Sequence, residues 1–508
     1  MKIVTTSQMR EADAHTIASQ GVNGLELMKR AGAALADEAE NMLDLRGKRI
    51  RERVLVVCGG GNNGGDGFVC ARILTKRGQE ADVVFFAEKT SAECAEAKNR
   101  FLQLGGKILT QMPKNGYSLV VDCLLGTGFH GELSEPMKKA IAGINALKAQ
   151  GAKVLAADIP SGVDGDNGCV REIAVQADKT LCLGEVKAGV YFGDGIDYAG
   201  EVLRADIGIV FPNGNYATLL NSGYVASLLP HRKRNTNKGD YGKAAIVAGC
   251  KEYTGAAYLA MAACLRAGAG YTTLFTPAKL LPQYMLKAPE ALLVPLCKGT
   301  KMHFEDAELD RLLGYSSIAY GMGMGVSKDV AKGAEYLIEN YTGKLVLDAD
   351  ALNSLAVYCA KEIDNVFAKK KCDVVITPHV KEFSRFTSQK TSAILENGLY
   401  AATGFAKKHG VSVLLKNAVT TITDGEKIFL NTAGGAGQAK GGSGDVLSGV
   451  IASLCACGFS GLDAACAGAY LTGKAAELAM EKYGEYSLTA RDTIEYLGEA
   501  FTNIQKCE

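Results

Sequence analysis

Short runs of consecutive apolar residues alternate with longer helical patterns through both halves of the chain. In the first half, strands are predicted at residues 53–58, 81–87, 117–126 and 152–162. Helical patterns lie before and between them at residues 24–43, 66–78 and 91–105. Continuous Val, Ile and Leu runs are typical of parallel strands that helices cover on both faces. The pattern therefore predicts an α/β domain with three α/β/α layers.

The pattern is interrupted near residues 212–240 and then resumes. The interruption contains Pro, Asn, Gly and the basic cluster Arg232, Lys233 and Arg234, which we interpret as a solvated linker. Beyond it, strands are predicted at residues 242–249, 271–276, 316–321, 344–350, 372–378 and 411–416, and three closing helices at 444–458, 461–484 and 489–501. The fold class is thus α/β, with domains at 1–215 and 236–508 and a linker at 216–235.

The overall composition restricts the partners of the chain. Its 508 residues carry a net charge of +1 without long charged blocks, which argues against nucleic acid or a membrane surface as the main partner. No apolar run is long enough to cross a bilayer, and the N-terminal segment lacks the apolar core of a secretory signal. The 15 cysteines are scattered through apolar segments, which favours free thiols in a reducing cytoplasm.

A glycine-rich segment, CGGGNNGGDG at residues 58–67, directly follows the strand RVLVV. Glycines at a strand end allow backbone amides to approach an anion such as a phosphate. The spacing differs from the Gly-x-Gly-x-x-Gly fingerprint, and Asn62, Asn63 and Asp66 add oxygen ligands suited to an alkali or alkaline-earth cation. The alternative is that these side chains only cap a turn and a helix.

Two further strand ends carry matching polar groups. Asp122 ends one strand and precedes a second glycine loop, whereas Asp158 and Ser161 end another strand. Because the carboxyl ends of parallel strands share one edge of a sheet, we expect these loops to meet the segment 58–67 at a single ligand site. Lys187 either neutralises a phosphate there or is an exposed lysine without a role.

The segments GGGNNGGDGFVCARIL, DCLLGTGFHGELSEP, ADIPSGVDGDNG and GEVKAGVYFGDGIDYAGEVLRADIGI resemble the N-terminal domain of the bifunctional NAD(P)H-hydrate repair enzymes. The resemblance implies a Rossmann-like sheet that epimerises the R and S forms of hydrated NAD(P)H, with Asp158 as the proton-transfer carboxylate. It implies potassium (K+) ligands at Asn63, Asp122 and Ser161. It also implies substrate contacts at Asn62, Asn63, Gly64, Gly65, Asp66, Gly126, Thr127, Gly128, Phe129, His130, Gly131, Glu132 and Asp158.

A second glycine-rich segment, NTAGGAGQAKGGSGDVLSG, opens a helix near Asp445. The amides of Gly442 to Gly444 at a helix N-terminus can form an anion hole for a transferring phosphoryl group, and Asp445 can accept the proton of an attacking hydroxyl. The alternative is that Asp445 is only an acidic residue in the first helical turn, where the helix dipole favours it. The anion hole and the carboxylate occur in one short segment, which favours the catalytic interpretation. Further polar groups follow strands elsewhere, namely Asp348, Asp350, His379, Glu382 and Lys416.

The segments KGDYGKAAIVAG, GMGMG, VLDADALN, TPHVKEF and GGSGDVLSG resemble the ribokinase-like dehydratase domain of the same repair family. The resemblance implies hydrated-substrate contacts at Ala256, Gly323, His379 and Asp445. It implies adenine-nucleotide contacts at Lys416, Asn417, Ala418, Val419, Thr420, Gly435, Ala436, Gly437, Gln438, Ala439, Lys440, Gly441, Gly442, Ser443 and Gly444.

Together the two resemblances imply a repair enzyme that consumes ADP with magnesium (Mg2+), releases AMP and phosphate, and regenerates NAD(P)H. The implied partners are the small molecules NAD(P)HX and ADP, and both domain types imply a homo-oligomer. Two alternatives stay open at this point. Ribokinase-like domains also phosphorylate vitamin precursors, and the first half is also compatible with a dinucleotide-sensing module without activity.

Overall fold

The computed structural model describes residues 1–43, 52–129, 131–360 and 362–506 and divides the chain into two compact units. The first unit comprises Met1–Tyr216 and the second Ala217–Glu508. Residues 217–228 lie in the predicted linker, but they form a strand and a helix of the second unit. Within the described ranges, no helix combines the length and apolarity needed to cross a membrane.

The first unit contains a parallel sheet between two layers of helices. Its strands are β1 (Lys2–Val4), β2 (Arg53–Gly59), β3 (Glu80–Phe86), β4 (Lys107–Leu109), β5 (Leu119–Cys123), β6 (Lys153–Ala157), β7 (Lys179–Leu183), β8 (Val186–Lys187) and β9 (Glu201–Ala205). Its helices are α1 (Thr6–Gln20), α2 (Gly24–Met42), α3 (Asn62–Lys76), α4 (Ala92–Gln103), α5 (Glu135–Ala149) and α6 (Gly195–Tyr198). The strand order is β4-β3-β2-β5-β6-β7-β9, and β1 pairs in parallel with β8.

Strand β2 shows why continuous apolar runs predict this architecture. Val54, Val56 and Cys58 enter the core beneath α2, α3 and α4, whereas Leu55 and Val57 enter the core beneath α5. Successive side chains of a strand point to opposite faces, so both sets must be apolar when both faces are covered. The predicted strands of the first half are confirmed, and β7, β9 and the N-terminal helix α1 are additional elements that the pattern did not predict.

The second unit repeats the three-layer plan with a larger sheet. Its strands are β10 (Ala217–Leu219), β11 (Lys243–Val247), β12 (Tyr271–Thr276), β13 (Leu292–Pro295), β14 (Ser317–Tyr320), β15 (Lys344–Leu347), β16 (Asp373–Ile376), β17 (Ser412–Leu415), β18 (Thr420–Thr423) and β19 (Ile428–Asn431). Its helices are α7 (Ser222–Leu228), α8 (Thr254–Arg266), α9 (Pro282–Met285), α10 (Asp306–Asp310), α11 (Lys328–Asn340), α12 (Asp350–Tyr358), α13 (Ile363–Ala368), α14 (Val380–Thr387), α15 (Thr391–His409), α16 (Ser443–Ala456), α17 (Gly461–Ser487) and α18 (Ala490–Gln505).

The strand order within this unit is β13-β12-β11-β14-β15-β16-β17-β18-β19-β10. The strands from β13 to β17 are parallel, but β18 runs antiparallel to both β17 and β19. The sequence pattern did not predict β18 or β19; the short turn after β17 can join only antiparallel neighbours, so a hairpin follows β17. One core lies beneath α8 and α16 to α18, and the other lies beneath α11, α12, α14 and α15.

Close contact between α8 and α16 depends on one glycine. A Cβ atom at Gly449 would lie 2.1 Å from the carbonyl oxygen of Ala260. We expect Gly449→Ala to reduce the free energy of unfolding of this unit by about 1–3 kcal/mol, because the helices would have to separate. Gly498→Ala is the matched control, since the added Cβ atom would meet open space. A Gly→Ala change inside a helix is expected to raise the free energy of unfolding by about 0.5–1 kcal/mol. Urea unfolding measures both, and equal effects of the two variants would contradict the packing argument.

Candidate active sites

The first candidate site lies where the chain order of the first sheet reverses. The chain proceeds outward from β2 through β3 to β4, and then returns to place β5 on the other side of β2. In open α/β sheets, the crevice outside the carboxyl ends of two such strands is the usual ligand site. Helix α3 begins at Asn62, directly after β2, and the loop from Gly126 follows β5. Residues 62–65, predicted to lie in a turn, therefore form the first turn of α3.

Asn63 joins the three strand ends that the sequence predicted would meet. Its Nδ2 donates hydrogen bonds to the carbonyl oxygens of Leu125 (2.7 Å) and Ala157 (3.3 Å). Its Oδ1 is buried and accepts no hydrogen bond from any described residue. Buried polar atoms in native proteins nearly always have a partner, so an unpaired oxygen at this place points to a ligand or a cation. A Cβ at Gly126 would lie 3.2 Å from the Asn63 Cβ, so the loop after β5 packs closely against this side chain.

Asp122 and Ser161 form a buried pair beside Asn63. Asp122 accepts hydrogen bonds from the Ser161 hydroxyl (2.7 Å), the Ser161 amide (2.8 Å) and the Leu124 amide (3.2 Å). Burial raises the pKa of Asp122 to about 6, against the effect of these donors. The Ser161 hydroxyl also accepts from the Leu125 amide at 2.9 Å. Leu125 thus ties Ser161 to Asn63, and the three predicted cation ligands share one neighbourhood.

Asp158 and Lys187 form a second buried charged pair. The Lys187 ammonium donates to Asp158 Oδ1 and to the Leu183 carbonyl (2.7 Å), and only 1% of Lys187 is exposed. The interpretation of Lys187 as an exposed lysine was therefore wrong. Asp158 has φ = 71°, a conformation that few residues other than glycine adopt. Such strain is concentrated at functional sites, where the surrounding structure holds it in place.

Two more carboxyl groups face this pair. Burial raises the pKa of Asp66 well above its usual value, and the nearby Asp158 and Asp13 raise it further. Burial also raises the pKa of Asp13 to about 6, while Lys187 lowers it. Asp13 belongs to α1, far from the glycine motifs in sequence, and sequence analysis missed it. The only indication in the sequence was an acidic residue in a helix whose apolar residues do not form a clear stripe.

The other predicted residues of the first site range from buried, as at Gly64 and Gly65, to exposed, as at Asn62. Asn62 accepts a hydrogen bond from the Ser91 hydroxyl at 2.9 Å, which ties the start of α3 to the cap of α4. Gly64 lies so close to the Gly59 carbonyl that a Cβ would come within 1.9 Å, so the helix start requires a glycine. Glu132 is exposed. The predicted contact His130 lies outside the described residues.

The second candidate site lies at the equivalent reversal of the second sheet, between β11 and β14. Gly323 follows β14 with φ = 60°, and a Cβ there would lie 2.8 Å from the Cβ atoms of both Ala256 and Tyr253. The structure therefore brings together Ala256 and Gly323, which the sequence predicted as substrate contacts. One turn further along α8, Leu259 packs against Gly442, so this pair adjoins the start of α16.

Asp445 lies in the first turn of α16 beside a buried ion pair. The Lys416 ammonium lies 2.9 Å from Asp348 Oδ1, and the Ser448 hydroxyl donates to Asp348 Oδ2 at 2.8 Å. Burial raises the pKa of Asp445 to about 7; Asp348 adds to the rise and Lys416 opposes it. Burial disfavours the charge of Lys416, yet the carboxylates of Asp348, Glu382 and Asp445 raise its pKa overall. A carboxylate that titrates near neutral pH is suited to general-base chemistry.

His379 follows β16 and caps the N-terminus of α14. Its Nδ1 accepts hydrogen bonds from the amides of Lys381 (3.1 Å) and Glu382 (3.2 Å), and the His379 amide donates to Glu382 at 2.9 Å. Burial lowers the pKa of His379, with Glu382 opposing and Lys416 adding to the effect. The neutral ring is therefore favoured; about half of the side chain is exposed, and Nε2 lies 3.5 Å from Glu382 Oε1. Its backbone pairs with that of Lys416, which places both on one edge of the sheet.

The predicted nucleotide segments differ in how open they are. Gly442 has φ = 100°, which favours glycine at the cap of α16, and Gly444 faces the Lys416 ammonium, with its Cβ position 3.3 Å from Nζ. Asn417 and Ala418 are exposed in the turn after β17, whereas Val419 is buried and faces the core. The Lys440 ammonium donates to the carbonyl oxygens of Tyr486 and Leu488 and so anchors the loop to the end of α17.

Two family models match this chain. Residues 24–189 match the YjeF-related protein N-terminus, and residues 244–498 match the NAD(P)H-hydrate dehydratase model. Proteins named bifunctional NAD(P)H-hydrate repair enzyme Nnr from Thermofilum pendens and Moorella thermoacetica are 32% and 31% identical. Each alignment covers 100% of this chain and 97% or 98% of the relative.

The chain belongs to the bifunctional NAD(P)H-hydrate repair enzyme family. A solved ADP/ATP-dependent NAD(P)H-hydrate dehydratase from Bacillus subtilis, co-crystallized with ATP/Mg2+, is also similar. It is 25% identical with a TM-score of 0.50, and the match covers 57% of this chain and 99% of that protein. The family confirms the prediction of a two-activity repair enzyme over the vitamin-precursor kinase and the inactive sensing module.

The raised pKa of Asp445 has a consequence for stability. Between about pH 4 and 7 the native state holds a proton on Asp445 that the unfolded chain has lost, so the contribution of this group to stability falls as pH rises through that window. We expect Asp445→Asn to be more stable than the parent protein at pH 8, with the difference vanishing towards pH 4. Urea unfolding at a series of pH values measures it. Asp463→Asn, which removes a first-turn acid from α17, controls for the loss of a helix-dipole interaction, and a difference independent of pH would contradict the assignment.

Proposed function

We propose that the second unit dehydrates the S form of hydrated NAD(P)H at the expense of ADP, with Asp445 as the general base. The observation that carries the proposal is a carboxyl group with a pKa near 7 at the N-terminus of α16, beside the Lys416 ammonium. A base of this kind can take a proton from an attacking hydroxyl at neutral pH. The similar dehydratase from Bacillus subtilis was co-crystallized with ATP/Mg2+, which supports the use of an adenine nucleotide and Mg2+ by this unit.

In this proposal, the ring hydroxyl of the hydrate attacks the terminal phosphoryl group of ADP while Asp445 accepts its proton. The backbone amides of Gly442 to Gly444 and the Lys416 ammonium stabilise the charge that develops on the phosphoryl oxygens. AMP leaves, and the new phosphate ester is a far better leaving group than hydroxide. The ring nitrogen expels phosphate, loss of a proton from the neighbouring ring carbon restores the double bond, and NAD(P)H results. Magnesium enters with the nucleotide, since Mg2+ takes most of its ligands from phosphate and water, and it neutralises phosphate charge.

We propose that the first unit, Met1–Tyr216, epimerises the R form to the S form. Asp158 is the carboxylate proposed for proton transfer, and the Lys187 ammonium holds it in place. The amides at the start of α3 and the loop 126–132 would bind the diphosphate of the hydrated dinucleotide. The free buried oxygen of Asn63 fits a cation site, and we propose that Asn63, Asp122 and Ser161 hold potassium. The cation would supply a fixed positive charge next to the diphosphate.

Purified protein mixed with epimeric NADH hydrate, ADP and Mg2+ should recover the absorbance of reduced nicotinamide from both epimers. Asp445→Asn should lower the dehydration rate at least about 100-fold, because it removes the proposed base, and should leave epimerisation intact. Asp158→Asn should lower the epimerisation rate and leave dehydration of the S form intact.

The rate of dehydration by the parent protein should rise with pH through about 7, because Asp445 must ionise to act as a base.

The two variants serve as controls for each other, provided that circular dichroism shows both to be folded. Equal loss of both activities in folded Asp445→Asn protein would contradict the separation of the two sites. Epimerisation at the parent rate by folded Asp158→Asn protein would likewise contradict the assignment of Asp158 to epimerisation.

Replacing potassium with lithium should lower the epimerisation rate about tenfold or more without changing the rate of dehydration.

A bound ion also stabilises the state that binds it, so potassium should raise the melting temperature of the parent protein but not that of Asn63→Leu. Asn62→Leu, which changes the neighbouring and more exposed amide, is the matched control and should keep the potassium effect. If potassium stabilises Asn63→Leu as much as the parent, the cation site lies elsewhere.

A further inference from the structure

A cavity of about 670 Å³ opens in the second unit at the end of α16 opposite to Asp445. Leu454 and Cys457 line it from the last turn of this helix, whereas Asp445 belongs to the first turn. At about 1.5 Å per residue, the cavity lies about 14–18 Å along the helix axis from the proposed base. Its volume is that of a small-molecule pocket, typically about 300–1,000 Å³. None of the residues proposed above for dehydration lines it.

The cavity carries an excess of positive charge. Arg232, Lys233 and Arg266 line it together with His231, and the one acidic lining residue is Asp240. The Asp240 carboxylate accepts hydrogen bonds from the Asn237 amide and the Thr236 hydroxyl, both at 2.9 Å, so its oxygens are already engaged by neutral donors. Three cationic side chains thus line one concave surface against a single acid that neutral donors already engage, which favours a ligand with more than one negative charge.

Arg232 is held in place by two contacts within the cavity wall. Its guanidinium lies 3.9 Å from the centre of the Tyr241 ring, and one Nη2 donates to the Gly268 carbonyl at 2.6 Å. A guanidinium that stacks on a ring keeps further N–H donors in a fixed plane, which suits a phosphate group. The rest of the wall is largely apolar and partly aromatic, formed among others by Leu229, Phe459 and Phe501.

We propose that this cavity is a second ligand site for a small aromatic phosphate ester, the chemical class of a nucleoside monophosphate. The basic side chains, Arg232, Lys233 and Arg266, hold the dianionic phosphate. The aromatic body packs against the apolar wall that includes Phe459 and Phe501. The basic cluster that the sequence suggested was only a solvated linker thereby acquires a binding role.

Calorimetric titration of the full chain with phenyl phosphate tests the site, with ADP present to occupy the nucleotide site. The double variant Lys233→Gln/Arg266→Gln should weaken binding at least about tenfold, because it removes two charges from the cavity. Arg234→Gln is the matched control, since Arg234 belongs to the same basic cluster but does not line the cavity. Arg234→Gln should bind as the parent does. Equal weakening by both variants, or none by the double variant, would overturn the proposal.

A second measurement separates the cavity from general charge effects. Cys457 lines the cavity and Cys169 of the first unit does not, and both are partly exposed. Phenyl phosphate should slow maleimide labelling of Cys457 but not of Cys169. Gly498→Phe should remove both binding and protection, because a side chain at Gly498 projects into open space at the cavity wall. If inorganic phosphate protects Cys457 as strongly as phenyl phosphate, the aromatic part of the proposal is wrong.

Discussion

Burial of both faces of the two parallel sheets is the constraint on which the rest of the structure depends. A strand such as β2 has no face free for polar side chains, because α2 to α4 cover one side and α5 the other. Buried charged groups are therefore favoured beyond the end of such a strand rather than in its middle. Asn63, Asp122 and Asp158 in the first unit, and Asp348 and Lys416 in the second, all lie at or beyond a strand end. The chemistry is concentrated at one edge of each sheet because no other part of the sheet can accommodate it.

The same burial that stabilises the sheets gives the site residues their chemical properties. Transfer of a carboxylate from water into a protein interior disfavours its charged form, so burial raises the pKa of Asp445 to about 7 and that of Asp122 to about 6. Other carboxylates have lysine partners, as in the pairs of Asp158 with Lys187 and Asp348 with Lys416. In each unit, such an ion pair lies near carboxyl groups whose pKa burial raises. Such groups lower stability at neutral pH and are retained where proton transfer needs them.

Much of the fold and part of each candidate site could be predicted from sequence, and particular residues show where prediction stopped. The apolar runs predicted the strands because both strand faces are buried, and the motifs predicted the family. The pattern did not predict that α3 begins at Asn62, because glycines and asparagines indicate a turn locally while the anion-binding edge of the sheet favours a helix start. Asp13 was missed because α1 brings it to the site from a segment without a motif. Lys187 could not be assigned from sequence, since its burial depends on the packing around β8.

The sequence by itself determined the α/β class, the two-domain order, the family and which strand ends carry polar side chains, because these follow from local periodicity and short contiguous motifs. Only the tertiary structure decided which distant groups share an environment. Asp348, Lys416 and Asp445 come from three separate strand and helix ends, and Arg232 and Arg266 meet the end of α16 at a cavity that no motif indicates. Burial and electrostatic coupling act through space over a few ångströms, and the spacing of residues along the chain contains no direct record of those distances.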